Sequence, residues 1–310
     1  MLRNEDALAT LEAAANQPET NRSSFWDVEV ENFRVAADGT RTGVACIGNI
    51  SRKTGRLYTL MHRVLQLPFR YMARGLPDYA DCERLGRIIA KRQERQYTSD
   101  MMRQALSLAL IRHHLPDGPG AGANLVIGDG YGVMTSLLRL AWPDNKTIVV
   151  NLTIPLLADL AFASQALPGM RLAMPANMDE MAEALGDPAV DVIGIRADDA
   201  GLLEGVQIGL AVNIHSMQEM DMTVIAEYFR LLRSSTGERT AFYCCNRVQK
   251  KFYDDTEIRF DAFPWRDDDK LLVDETCPWT EWLYGPKPPF WTRMPNPVHH
   301  RLALIYRPVA

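Results

Sequence analysis

The chain has 310 residues, 47% hydrophobic and 24% charged, with a net charge of −5 at pH 7. This composition is that of an ordinary globular protein with a sizeable core, and it argues against a nucleic-acid partner. The five scattered cysteines argue against a disulfide framework and favour a reducing compartment. The N-terminal stretch lacks a signal-peptide core, and no apolar run reaches the roughly 20 residues that span a bilayer, so we expect a cytoplasmic protein.

The first third of the chain, residues 1–115, predicts a largely helical extension. Residues 1–17 and 80–115 have helical patterns, and the loop at 115–123, rich in Pro and Gly, marks the boundary. Residues 51–115 hold 13 Lys/Arg against 5 Asp/Glu, a net charge of +8. Such a region could attract an anionic glycan, a nucleotide-sugar diphosphate or a membrane surface, although a solvated helix face is the simpler interpretation.

After this boundary, residues 116–310, short apolar runs alternate with helical patterns. The alternation predicts an α/β fold with a mostly parallel sheet and helices on both faces. In such sheets, ligands bind beyond the carboxyl ends of the strands. The predicted strands are 125–128, 147–152, 190–196, 210–214 and 241–245, with later candidates at 258–263 and 302–306, and the predicted helices are 133–141, 155–166 and 222–232.

The stretch IGDGYG places Gly128, Gly130 and Gly132 at every second position between a predicted strand and helix. Alternate glycines let a backbone approach a ligand closely, and a helix N-terminus supplies free N–H donors. The dinucleotide fingerprint needs Gly or Ala where this chain has Val133, which disfavours a nicotinamide oxidoreductase. The spacing is typical of S-adenosylmethionine-dependent methyltransferases, although glycines required only for packing would give the same pattern.

Several further stretches follow the glycine turn in order. The stretches are IGDGYG (127–132), NLTIP (151–155), NIHSMQEM (213–220), FYCCNR (242–247) and RFDAFPW (259–265). Together they resemble the bacterial sugar O-methyltransferase family, part of the class I methyltransferase superfold, over residues 95–285. The resemblance implies a Rossmann-like methyltransferase fold, S-adenosylmethionine as cofactor, and a sugar hydroxyl, in a glycan or nucleotide sugar, as methyl acceptor.

The resemblance also implies a set of cofactor-binding residues. They are Gly128, Asp129, Gly130, Gly132, Asn151, Asp198, Asp199 and Asn213. The chain departs from the pattern at Val126, Asn151 and Gly209, where such methyltransferases usually have acidic residues. An amide accepts a ribose hydroxyl without charge assistance, which costs about 1 kcal/mol. Asp129 is a candidate to replace the missing carboxylate near the methionine amine, and a solvated turn residue is an equal alternative.

The loop after the third strand is expected to meet the adenine. If that strand is 190–196, the loop is 197–203, and Asp198 and Asp199 are candidate acceptors for the adenine amino group. If the strand is 171–175 instead, the loop moves to 176–178. The sequence leaves both alternatives open.

Methyl transfer requires alignment of the reacting atoms and a base near the acceptor hydroxyl. His215 directly follows the fourth strand and has a suitable pKa range, whereas Glu219 matches the family motif, so both are candidate catalytic bases. Ser216, Asn246 and Arg247 are candidate substrate-binding residues, and Arg247 could grip a carboxylate or phosphate.

No metal is expected, because the three consecutive acidic residues 267–269 cannot converge on one ion. The aromatic-rich tail, 279–291, could stack on sugars, pack in the core or form a subunit interface, so a homo-oligomer stays open. The departures at Val126, Asn151 and Gly209 keep an alternative function open, a catalytically degenerate relative that acts as a binding or regulatory subunit.

Overall fold

A computed structural model describes residues 4–14, 19–31, 34–35, 41–42, 55–285 and 287–307. The helices are α1 Asn4–Ala14, α2 Ser24–Glu31, α3 Arg56–Leu65, α4 Leu67–Met72, α5 Tyr79–Arg92, α6 Ser99–His114, α7 Val133–Ala141, α8 Thr153–Ala166, α9 Met178–Gly186 and α10 Met222–Arg233. The strands are β1 Arg34–Val35, β2 Arg41–Thr42, β3 Ala123–Ile127, β4 Thr147–Asn151, β5 Leu172–Ala173, β6 Val192–Arg196, β7 Ile208–Ile214, β8 Arg239–Arg247, β9 Gln249–Lys251, β10 Glu257–Arg259, β11 Lys270–Thr276, β12 Trp282–Tyr284, β13 Trp291–Arg293 and β14 Val298–Tyr306.

Eight strands form a central sheet in the order β11-β14-β8-β7-β3-β4-β6-β5. Strand β3 pairs in parallel with β4 and β7, and the parallel pairing continues to β6, β5 and β8. Strand β14 is antiparallel to both β8 and β11. The predicted α/β fold with a mostly parallel sheet is therefore confirmed.

Both faces of the sheet are covered by helices. Val126 of β3 packs in an apolar cluster that includes Leu137 of α7, whereas its neighbour Ile127 packs in the opposite cluster with Ile225 of α10. Successive strand side chains point to opposite faces, so two covered faces require a continuous apolar run. This is why the central strands were recognisable in the sequence.

Strand β6, Val192–Arg196, lies beside β4, and the loop after it is a short 3₁₀ helix, Ala197–Leu203. The first of the two sequence alternatives for the third strand is therefore correct. The segment of the second alternative forms only the two-residue edge strand β5, Leu172–Ala173.

The predicted strand at 258–263 is wrong in its second half. Glu257–Arg259 forms a small hairpin strand with β9, and Phe260–Ala262 is a 3₁₀ turn. Phe260 and Phe263 are both buried in an apolar cluster from this turn. Their apolar character, which suggested a strand, reflects burial of a turn.

Helices α5 and α6 of the N-terminal region pack into the same apolar cluster as the sheet, since Ile89, Leu106 and Val126 all belong to it. This places the segment that connects them, residues 93–98, against the central fold. None of the described helices is long and apolar enough to cross a membrane.

Asp269 of the acidic tract 267–269 pairs with Arg233 at the end of α10. The two N–O distances are both 2.8 Å, and the side chains of Arg233 and Asp269 are 5% and 0% exposed. Among the described residues, no group of three His, Cys, Asp or Glu side chains could hold a metal ion.

Substitution Arg233→Met should lower the free energy of unfolding by about 3–5 kcal/mol, because it leaves the Asp269 carboxylate buried without its partner. Urea denaturation at pH 7 measures this loss. The matched control is Arg259→Met, which breaks an exposed ion pair with Asp261 and should leave stability unchanged. Equal losses of unfolding free energy in the two variants would contradict a stabilising role for the buried Arg233–Asp269 pair.

Candidate active site

The glycine turn joins β3 to α7 in left-handed backbone conformations. Gly128, Gly130, Tyr131 and Gly132 have φ values of +68°, +72°, +63° and +61°. A Cβ at Gly128 would lie 2.0 Å from the Ser216 Oγ. A Cβ at Gly132 would lie 2.3 Å from a backbone oxygen of α8. Packing alone therefore requires glycine at 128 and 132, whatever the turn binds.

Asp129 accepts hydrogen bonds from the first turn of α7. Its two carboxylate oxygens lie 2.7 Å from the Met134 and Thr135 amide nitrogens. Burial raises the pKa of Asp129 to about 6, and the hydrogen bonds oppose that rise. The carboxylate stabilises the positive end of the helix, and its role beside a cofactor amine stays a prediction.

Asn151, at the end of β4, contacts a buried carboxyl group. Its Nδ2 donates to the Asp159 Oδ2 at 2.8 Å, and its Oδ1 accepts from the Leu152 amide at 3.0 Å. Burial, and then the nearby Asp129 carboxylate, raise the pKa of Asp159 well above its usual value. A carboxylate at 151 would repel Asp159, which gives a physical reason for the amide in this chain.

The departure at Gly209 has a packing cause. A Cβ there would lie 2.7 Å from the Pro119 carbonyl oxygen and 2.9 Å from that of Ala121. Strand β7 and the loop before β3 are too close for any side chain at this position.

A pair of buried amides ties the carboxyl ends of three strands together. Asn213 Nδ2 donates to the Ile127 carbonyl at 2.7 Å, and Asn246 Nδ2 donates to the Asn213 Oδ1 at 2.8 Å. The Asn246 Oδ1 accepts from the Gln218 amide at 3.1 Å. Both asparagines are fully buried, so in this structure they position the loop at 215–219.

His215 stands on that loop with a left-handed φ of +61°. Its amide donates to the Cys245 carbonyl at 2.8 Å, and its Nδ1 lies 3.5 Å from the Gln218 Oε1. Burial, and then the positive charge of Arg103, lower the pKa of His215 to about 4. The imidazole is therefore neutral at pH 7, the state that a base requires.

Glu219, the other candidate base, is ion-paired. Its Oε1 lies 2.7 Å from the Lys250 Nζ, and the side chains are 12% and 11% exposed. Burial raises the pKa of Glu219, and Lys250 opposes the rise. Because the carboxylate already has a charged partner, His215 is the better placed of the two to accept a proton.

A cavity of about 80 Å³ lies at the carboxyl ends of β3, β4 and β7. Its lining residues are Trp26, Gly128, Asp129, Gly130, Asn151, Pro155, Ile214, His215, Ser216 and Glu219. Seven of these were predicted site residues from separate parts of the sequence. The other predicted site residues do not line it: Gly132, Asp198, Asp199, Asn213, Asn246 and Arg247.

An N-terminal segment, residues 19–31, crosses this edge of the sheet, and we call it the strap. The Thr20 amide and Oγ1 donate to Asp198 at 2.9–3.1 Å, and the Asn21 amide donates to it at 3.0 Å. The Glu19 carboxylate accepts from the Thr153 amide at 2.7 Å. The strap thus occupies the hydrogen-bonding face of Asp198, while Asp199 pairs with Arg196 at 2.8 Å.

The second half of the strap, residues 23–31, lies against the cavity. Ser23 Oγ donates to the Glu219 carbonyl at 2.5 Å, and Trp26 lines the cavity. Phe25 lies under the Lys250 ammonium, 3.5 Å from its ring centroid. Ligand pockets usually have about 300–1,000 Å³, so a nucleoside-sized ligand requires the strap to move. No pattern in the sequence indicated this contact.

Comparisons with known proteins show distant structural likeness. No family model matches the chain, and no curated protein matches it. The structure of the glycopeptide N-methyltransferase MtfA matches with a TM-score of 0.33 and 11% identity, over 63% of this chain and 94% of that one. The pyocyanin biosynthetic protein PhzM matches with a TM-score of 0.35 and 11% identity, over 90% and 81%.

An O-methyltransferase family 2 protein from Planctomyces limnophilus, in complex with apigenin, matches with a TM-score of 0.32 and 10% identity, over 70% of this chain and 64% of that one. Likenesses at this distance assign no activity, so function has to be argued from the chain's own residues.

Substitution Gly128→Ala should lower the free energy of unfolding by about 2 kcal/mol or more, because it adds both a clash with Ser216 and left-handed strain. Adding Ser216→Gly should recover part of that loss by removing the clash. The control Gly169→Ala, with φ +82° and open space around the Cβ, carries the strain alone and should cost about 1 kcal/mol. Chemical denaturation measures all three, and no recovery in the double variant would contradict the packing.

The lowered pKa of His215 predicts a pH-dependent stability. The unfolded histidine takes up a proton near its usual pKa of 6.5, whereas the folded one does so near 4. The unfolded state therefore binds more protons in this window, and stability falls as the pH drops from 6.5 to 4, by up to about 3 kcal/mol. Asn tolerates the left-handed backbone, so His215→Asn should lack this fall.

The difference in unfolding free energy between the wild type and His215→Asn, measured from pH 7 to pH 4, isolates this group. Asp129 has a raised pKa and contributes with the opposite sign, but it is present in both proteins. A difference that stays flat over this range would refute the lowered pKa of His215.

Proposed function

We propose that the chain is an S-adenosylmethionine-dependent O-methyltransferase that acts on a sugar hydroxyl. The strongest support is that residues predicted from separate motifs meet at one place in the fold. Seven residues predicted from separate motifs line one cavity at the carboxyl edge of the sheet: Gly128, Asp129, Gly130, Asn151, His215, Ser216 and Glu219. Open α/β sheets bind ligands at this edge.

The chain's residues fit the cofactor once the strap has moved. The glycine turn offers close backbone approach, Asn151 offers an amide to a ribose hydroxyl, and Asp198, freed from Thr20, offers a carboxylate to an adenine amino group. The bound cofactor would supply an electrophilic methyl group on sulfur.

His215 is the proposed base, because its imidazole is neutral and lines the cavity. Removal of the acceptor's proton makes the oxygen a competent nucleophile. Its lowered pKa makes it a weak base, so we expect alignment to supply much of the rate. Glu219, held by Lys250, and the Asn213–Asn246 pair would then fix the loop on which His215 stands.

The strap favours a second candidate function. In this structure Asp198 is bonded to Thr20 and Asn21, and the cavity holds about 80 Å³. A degenerate relative that never opens, and that acts as a binding or regulatory subunit, would show the same contacts. Cofactor binding separates the two functions.

Calorimetry with S-adenosylhomocysteine should show micromolar binding, and a panel of sugars and nucleotide sugars should contain a methyl acceptor. His215→Asn should lower kcat by about 100-fold or more while the affinity for S-adenosylhomocysteine changes little. Glu219→Gln should lower kcat less, because its partner is Lys250. The absence of binding at millimolar ligand would refute the methyltransferase, and an unchanged kcat in His215→Asn would refute the base.

Amide hydrogen exchange should report strap opening directly. On addition of S-adenosylhomocysteine, the amides of Thr20 and Asn21 should exchange at least about 10-fold faster, because their acceptor Asp198 is taken by the ligand. The amides of Met134 and Thr135, bonded to Asp129, are the internal control and should not change. If the amides of Thr20 and Asn21 stay protected at saturating ligand, the proposed binding of the ligand to Asp198 is contradicted.

A further inference from the structure

A buried arginine beside the glycine turn has no hydrogen-bond partner for most of its charged group. Arg95 follows α5 and is 4% exposed. Its Nε and Nη1 are buried and make no hydrogen bond within the described part of the chain. Its guanidinium carbon lies 5.3 Å from the Tyr131 ring centroid and 5.9 Å from that of Phe162.

The other buried arginines of the described chain are satisfied. Arg103 donates to the carbonyl groups of Trp279 and Trp282 at 3.0 and 2.8 Å, and Arg233 pairs with Asp269. A buried charge without such partners costs several kcal/mol, and contacts with aromatic rings recover only part of that cost. Arg95 is therefore unlike Arg103 and Arg233, since its Nε and Nη1 donate to no oxygen within the described residues.

The position of Arg95 is fixed against the candidate active site. The side chain of Gln93, two residues earlier, donates to the carbonyl groups of Tyr131 and Phe162 at 3.2 and 3.0 Å. Tyr131 is itself a residue of the glycine turn, between Gly130 and Gly132. Burial lowers the pKa of Arg95, and the charges of Asp100 and Asp129 oppose that shift.

We propose that Arg95 anchors a buried anion subsite beside the glycine turn, which takes a carboxylate or phosphate group of a bound small molecule. Two sources can supply that group, the amino-acid carboxylate of the cofactor or an anionic group on the methyl acceptor. The assignment to either source rests on the proposed methyltransferase function, whereas the subsite itself rests on the unpartnered guanidinium. A guanidinium is suited to both groups, because its several N–H donors match their oxygens.

The test uses Arg95→Met, which keeps the length of the side chain and removes the charge. Replacing an uncompensated buried charge by an apolar group is neutral or stabilising, so we expect this variant to fold. Arg95→Lys keeps the charge and provides a second variant if the first does not fold. The matched control is Arg92→Met, at the end of α5 and three residues before Arg95, which removes an exposed side chain that donates to the Ala166 carbonyl at 2.8 Å.

Three probes separate the sources. They are S-adenosylhomocysteine, which carries the carboxylate, 5′-methylthioadenosine, which lacks the amino-acid part, and inorganic phosphate against chloride at equal ionic strength. If the cofactor supplies the anion, Arg95→Met should bind S-adenosylhomocysteine about 30-fold or more weakly and 5′-methylthioadenosine unchanged. Arg95→Lys should show a smaller loss. If the acceptor supplies it, both affinities stay unchanged, but phosphate raises the Tm of the wild type and not of Arg95→Met.

A folded Arg95→Met, or Arg95→Lys in its place, with wild-type affinity for S-adenosylhomocysteine and a wild-type response to phosphate, overturns the subsite. If the wild type binds neither nucleoside, the proposed function fails, and the phosphate experiment alone decides on Arg95. Stabilisation by phosphate that depends on Arg95 then supports the subsite, and the lack of such stabilisation overturns it. Arg92→Met should match the wild type throughout.

Discussion

The hydrogen bond between the buried amides of Asn213 and Asn246, 2.8 Å long, holds the candidate site together. It joins the carboxyl ends of β7 and β8, and both asparagines fix the loop after β7, by accepting hydrogen bonds from the amides of Met217 and Gln218. That loop places His215 at the cavity. It also packs Ser216 against Gly128. One polar network therefore positions both the glycine turn and the loop at 215–219.

Burial then sets the charge state of each group around the cavity. The carboxyl groups of Asp129 and Asp159 lie together beneath the glycine turn and both have raised pKa values, whereas His215 has a lowered one. Asn151 is the uncharged residue that can sit between the cavity and Asp159. The amide at 151, where class I methyltransferases usually have an acidic residue, therefore has a structural cause. The same loss of solvent makes the unpaired guanidinium of Arg95 costly.

The sequence predicted the sheet well because its central strands are buried on both faces and read as continuous apolar runs. It also predicted seven residues that the fold brings to one cavity: Gly128, Asp129, Gly130, Asn151, His215, Ser216 and Glu219. It could not show that Asn213 and Asn246 bond to each other, because that contact joins two strands 33 residues apart. The strap and Arg95 were missed for the same reason, since their significance comes from long-range contacts that no local pattern encodes. Asp159 did leave a signal, as a lone acidic residue in the apolar helix α8.

The strap makes the central claim directly testable. If the carboxyl edge of the sheet is a cofactor site, ligand and strap compete for the same groups, above all Asp198. A crystal structure of the complex with S-adenosylhomocysteine should show the nucleoside against Asn151 and Asp198, with Thr20 no longer bonded to Asp198. A ligand bound elsewhere, with the bonds from Thr20 and Asn21 to Asp198 intact, would contradict this account.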